Sequence, residues 1–173
     1  MNVDLYERIW MWGVGVMLAV FFGSTAAAAL MSQIHPPSHV ETIDPRTALS
    51  DPRFKRQGVS VDASGRVHAT IVGMMFVWLP AELVLPADTP VTFHLTSPDV
   101  IHGFEIVRTN GQSMVVPGYV AQVHTEFTRS GDLLMPCHEY CGIGHSEMWA
   151  TVQVLPEGEF KPDSEGKVSC AQR

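Results

Sequence analysis

The chain has 173 residues, a formal net charge of −7 and 46% hydrophobic residues. That length fits one domain of ordinary size plus a short extra element. The negative charge excludes nucleic acid and anionic membrane surfaces as natural partners, and it is compatible with a basic protein partner. Only Asp4, Glu7 and Arg8 carry charge before residue 41, so the acidity belongs to the later part of the chain.

In chain order, the first predicted element is a membrane helix. From Ile9 to Met31 no side chain is charged, and Trp10 and Trp12 stand at one end of the run. At about 1.5 Å per residue such a helix crosses a hydrocarbon core of roughly 30 Å, with the tryptophans at the interface. A cleaved signal peptide is the competing reading, because Ser24 to Ala29 are small. Arg8 is accompanied by Asp4 and Glu7, whereas a signal peptide wants a positive start. Arg8 precedes the helix and the next basic residue is Arg46, which places residues 1–8 in the cytoplasm and the rest of the chain on the periplasmic or extracellular side. A single-pass protein of the cell (inner) membrane is therefore expected, with the helix at 9–31. Gly13, Gly15, Gly23 and the alanine run offer close-packing surfaces for other helices.

Residues 32–66 are expected to be a linker, extended and stiff around Pro36, Pro37, Pro45 and Pro52. His35 and His39 fall within it. Strand patterns follow at Val67–Trp78, Leu83–Leu85, Val91–Thr96, Val100–Arg108, Val115–Val116, Tyr119–Phe127, Leu133–Met135 and Trp149–Leu155. Short strands at this spacing, parted by turn residues such as Asn110-Gly111 and Pro117-Gly118, predict an antiparallel sandwich or barrel over 67–155. Residues 156–173 read as a polar, frayed tail.

The chemistry concentrates in one loop between two predicted strands, Cys137 to Met148. Three cysteines are an odd number, which argues against a disulfide framework. The close pair Cys137 and Cys141 asks for a metal or redox role, whereas Cys170 is an unpaired thiol in the tail. Cys137, Cys141, His145 and Met148 form a soft donor set. A thioether argues against zinc, and iron-sulfur clusters usually need four cysteines. Copper remains. A mononuclear blue site uses one Cys, so a second Cys in the same loop suggests two thiolates bridging two coppers. The second imidazole such a site needs is best supplied by His102, at the junction of two predicted strands. His138 reads as exposed or as lying behind the ligands. His68, His94 and His124 fall on strands and read as structural histidines.

With the stretch Ser97-Pro98-Asp99-Val100-Ile101-His102-Gly103-Phe104 and the cysteine loop together, the chain resembles subunit II of the haem-copper cytochrome c oxidases. A single helix and a short chain are similar to the B family of these enzymes. The resemblance implies an all-β cupredoxin-like Greek-key sandwich with one N-terminal transmembrane helix. It implies a binuclear copper (CuA) centre held by His102, Cys137, Cys141, His145, Met148 and the main-chain carbonyl of Glu139. In the mitochondrial-type branch the matching glutamate side chain also reaches a magnesium ion. The implied role is that of an enzyme subunit with no catalytic residue of its own. It accepts electrons from cytochrome c and passes them to haem in subunit I, where oxygen is reduced to water and protons are translocated. Met75, Phe76, Trp78 and Asp99 are candidates for docking the electron donor, and the stretch around Glu7 is similar to one that stands at the mouth of a proton path. Two other readings remain open: a related nitric oxide reductase, and a free-standing tethered copper carrier.

Overall fold

The computed structural model describes residues 4–31, 41–156, 158–163 and 166–168. His35, His39 and Cys170 lie outside the described residues. The chain divides into two compact units, residues 1–35 and 36–173.

In the first unit, helix α1 runs Leu5–Met31 and starts four residues before the expected boundary. Beyond Glu7 and Arg8 in its first turn it carries no charge, and none of its residues is buried. Its most apolar window reaches a mean hydropathy of 2.0, so the helix is long and apolar enough to cross a membrane.

The second unit is built from β1 (Glu41–Thr42), β2 (Gly58–Val61), β3 (Val67–Met74), β4 (Val77–Leu79), β5 (Glu82–Pro86) and β6 (Pro90–Thr96). These are followed by β7 (His102–Glu105), β8 (Gln112–Val115), β9 (Tyr119–Glu126), β10 (Gly131–Pro136), β11 (Trp149–Leu155) and β12 (Lys167–Val168). One sheet has the order β1-β9-β6-β3-β2-β12, with β4 hairpinned onto β3. The other has the order β10-β11-β5, and β7 with β8 forms a separate ribbon. Most pairs are antiparallel, as expected, but β3 with β6 and β11 with β5 run parallel.

Alternation of side chains along each strand decides what lies between the sheets. Val67, Ala69 and Ile71 of β3 and Val91, Phe93 and Leu95 of β6 are buried. They meet Trp78, Phe104, Met135 and Val152 in one core. His68, Thr70, Thr92 and His94 take the intervening positions and face the other way.

Three sequence expectations change. The run Val67–Trp78 is not one strand but the β3–β4 hairpin, turning at Met75 and Phe76, with Gly73 opposite Trp78. The turn allows Trp78 to enter the core while Met75 stays outside. Part of the expected linker is folded: β1 pairs with β9, and a 3-10 helix at Pro45–Ser50 is capped by Asp44, which accepts the Arg46 N–H at 2.9 Å. Ile43, Ala48 and Phe54 from this stretch cover Val72 and Val120, apolar residues on the sheet's outer face. That cover is the physical reason the segment folds back: left extended, it would leave those side chains in water. The tail is also partly tied down, since β12 pairs with the β2 edge and Phe160 packs against the core.

Phe54 is 1% exposed. Phe54→Ala should therefore lower stability by about 3–5 kcal/mol, the range for truncating a buried aromatic. Denaturant unfolding of the variant against the parent checks this. A loss under about 1 kcal/mol would show that the 41–57 cover contributes little.

Candidate metal centre

The loop 137–148 joins β10 to β11 and is closed at its base by the Cys137 N–H donating to the Met148 carbonyl at 2.9 Å. Its first residues also pair with β7: Phe104 bridges Cys137, and the His138 N–H donates to the Gly103 carbonyl at 3.0 Å. This close approach needs glycine at 103, because a Cβ there would lie 2.7 Å from the Glu139 nitrogen. Further round, Gly142 has φ +132°, a conformation L side chains rarely adopt, and Gly142 and Gly144 both lie under the ring of Phe76. A short 3-10 turn at His145–Glu147 then brings Met148 back inward.

The result is a compact group of donors. The sulfurs of Cys137 and Cys141 are 3.9 Å apart. Beside Cys137 stand His102 Nδ1 at 3.9 Å and the Glu139 carbonyl at 3.3 Å. Beside Cys141 stand His145 Nδ1 and Met148 Sδ, each at 3.7 Å. His102, Cys137, Cys141 and Met148 are buried, and His145 is half-buried. His102, Cys137 and Cys141 form a cluster able to hold a metal ion. The sulfur–sulfur gap suits one: metal–thiolate bonds of about 2.3 Å let a single ion touch both. Soft sulfur with imidazole is the donor chemistry of copper.

Charge and hydrogen bonding orient the donors. His102 Nε2 lies 2.9 Å from Asp99 Oδ1, an acceptor, which fixes the proton on Nε2 and leaves the Nδ1 lone pair facing the sulfurs. Burial pulls the Asp99 carboxyl upward. The N–H of Met75, the His102 ring, the N–H of Val100 and the Ser97 hydroxyl outweigh it and hold Asp99 below the usual carboxylate range. The Cys141 thiol is pushed up to about 11, by burial first and then by Cys137 beside it. Without metal this thiol keeps its proton, and metal binding must displace it.

The sequence-predicted residues divide clearly. His102, Cys137, Cys141, His145, Met148 and the Glu139 carbonyl come together, and the Glu139 side chain is half-buried. Met75 is exposed in the β3–β4 turn, and its N–H donates to Asp99 Oδ2 at 2.7 Å. Phe76 is half-buried, with its ring on the ligand loop. Trp78 does not reach the surface: it is fully buried against His102, ring centroids 6.0 Å apart, because strand alternation turns it inward. Asp99 is likewise committed inward to His102. Glu7 is exposed in the first turn of α1. His138 is exposed, with Nε2 3.2 Å from the Phe104 carbonyl. Sequence reasoning missed the exposed Tyr140, Ile143 and Trp149, which are 74%, 94% and 55% accessible on or beside the ligand loop. Their apolar character inside an otherwise polar loop was the available signal.

Residues 63–155 match the family described as cytochrome c oxidase subunit II, periplasmic domain. A cytochrome c oxidase subunit 2 from Thermus thermophilus is 32% identical over 153 residues, covering 86% of this chain and 91% of that protein. Another from the same species is 33% identical over 121 residues, covering 69% of this chain and 90% of that one. Among solved structures, a chain of a haem-copper terminal oxidase dimer superposes with a TM-score of 0.69 at 26% identity, covering 87% of this chain and 99% of that chain. The fold is a cupredoxin-like sandwich carried behind an apolar helix, with a thiol, imidazole and thioether donor set at one end. The chain belongs to the cytochrome c oxidase subunit II family.

Removing the charge that orients His102 should loosen the site without emptying it. Asp99→Asn is expected to weaken copper binding by about 10- to 100-fold, the usual cost of losing a partner behind a metal ligand. A copper titration against a competing chelator measures this, and unchanged affinity would remove Asp99 from the positioning role.

Proposed function

We propose that this chain accepts electrons from cytochrome c through a binuclear copper centre. It would hand them to haem in subunit I of the same oxidase, where oxygen is reduced to water with proton translocation. The observation carrying this reading is the pair of sulfurs 3.9 Å apart with a separate pair of further donors beside each. A four-coordinate ion holding both sulfurs would leave two of the six donors unused. His102, Cys137, the Glu139 carbonyl, Cys141, His145 and Met148 would together hold the two ions. Two coppers held there would supply one-electron acceptance and release.

The chain's own residues then do three things. Asp99 keeps His102 in the tautomer that presents Nδ1. Phe76 and the buried Met148 exclude water from the inner side of the loop. Met75, Tyr140, Ile143 and Trp149 leave exposed apolar surface around the donors, suited to brief docking of a protein partner. The net charge of −7 adds long-range attraction for a basic donor. With residues 1–8 in the cytoplasm, this surface lies on the periplasmic or extracellular side, and α1 lies among the helices of the partner subunit.

Metal analysis with electron paramagnetic resonance on the full copper-loaded chain tests the central reading. Two coppers sharing one unpaired electron are expected. One copper with a localised signal would replace the reading with a mononuclear carrier. The docking reading predicts that the rate of reduction by cytochrome c falls as ionic strength rises. A rate indifferent to salt would leave apolar contact alone to form the encounter.

A further inference from the structure

Two mid-strand histidines of the large sheet stand side by side. His68 on β3 and His94 on β6 project from the same outer face, with His68 Nδ1 3.2 Å from His94 Nε2 and the rings stacked at 5.4 Å. His68 Nε2 lies 3.3 Å from Asp62 Oδ2. Both rings line a cavity of about 290 Å³ shared with Glu41 and Arg53.

We propose that His68 and His94 form a second metal site, distinct from the 137–148 centre, for a divalent first-row ion that prefers imidazole, such as Zn(II). Three observations point this way. Two imidazole nitrogens on one ion, with bonds of about 2.0–2.1 Å at a near-tetrahedral angle, sit roughly 3.3 Å apart, and these two are already at that separation. Asp62 supplies the carboxylate that a ligating histidine usually has behind it. The Ser64 hydroxyl and the Arg66 N–H hold the Asp62 carboxyl far below its usual range, so it stays an acceptor. The proton of His68 therefore rests on Nε2, and its Nδ1 lone pair faces His94. Burial, and then His68 alongside, lower the pKa of His94, so its ring is neutral and its lone pair is available. Without metal, His94 Nε2–H donates to His68 Nδ1. With metal, His94 carries that proton on Nδ1 instead, and no proton needs to leave.

The cavity leaves the remaining coordination positions open. Water would fill these positions, and Glu41 lines the cavity without reaching both ring nitrogens. Glu41 is paired with Arg53 and accepts from Gln122 Nε2 at 3.4 Å, beside His94 in the sheet register. The site uses none of the donors of the ligand loop. His68 and Met74 are six residues apart on β3, about 20 Å along the strand, so the two sites occupy opposite ends of it.

The test is Zn(II) uptake by the full chain, loaded with two coppers and cleared of excess copper, titrated against a chromophoric chelator and followed by zinc X-ray absorption. One zinc per chain is expected, with imidazole nitrogens at about 2.0 Å and no sulfur. His68→Gln and His94→Gln should each weaken it at least tenfold, and Asp62→Asn by about tenfold or more. No zinc uptake, sulfur in the zinc shell, or equal affinity in the parent, both histidine variants and Asp62→Asn would overturn the proposal. Loss of copper binding in the parent would bear on the proposed function and leave this site untouched.

Discussion

The His138 N–H donates to the carbonyl of Gly103, and almost everything about the metal centre depends on that one main-chain contact. It fastens the ligand loop to the strand that carries His102, so a residue from the middle of the domain meets the sulfurs near its end. Donor and acceptor are backbone groups, hence the loop is placed with backbone precision rather than by flexible side chains. It works only because residue 103 has no side chain. A Cβ there would meet the Glu139 nitrogen at 2.7 Å, so the loop would have to shift.

Asp99 extends this arrangement outward. One oxygen takes the His102 ring and the N–H of Val100, while the other takes the N–H of Met75 in the β3–β4 turn. That turn places Phe76 over Gly142 and Gly144. A single carboxylate therefore couples the ligand, the strand before it and the aromatic cap over the loop. The coupling explains why a partly exposed acid near a metal site is better read as framework than as a docking charge. Its oxygens accept from the His102 ring, the Val100 and Met75 N–H groups and the Ser97 hydroxyl, all within the framework of the site.

Much of this was legible in the residues. The alternation in β3 and β6 announced buried and open faces, and the donor types at 137–148 announced soft-metal chemistry. The pairing partners were not legible, because strand pattern specifies a face and not a neighbour. The parallel β3–β6 and β5–β11 pairs are examples. The 41–57 cover was misjudged because its prolines suggested extension, while Ile43, Ala48 and Phe54 are too widely spaced to show a period. Trp78 was ambiguous for a simple reason: the turn at 75–76 resets the alternation, and only the fold reveals where it resets. His68 and His94 looked unremarkable singly, since 26 residues separate them and only the parallel pairing of β3 with β6 sets them side by side.

The spacing of the donors also governs how metal and folding are linked. Cys137, Cys141, His145 and Met148 sit within one short stretch, whereas His102 is 35 residues before Cys137. An unfolded chain keeps that stretch intact and retains five of the six donors close together, four side chains and the Glu139 carbonyl. A ligand that also binds the unfolded state stabilises the native one only by the difference between the two affinities. A copper ion bound here would therefore protect the fold by less than its affinity alone would suggest. The protection that remains comes from the donors only folding can deliver, His102 foremost, together with the fixed placing of the rest.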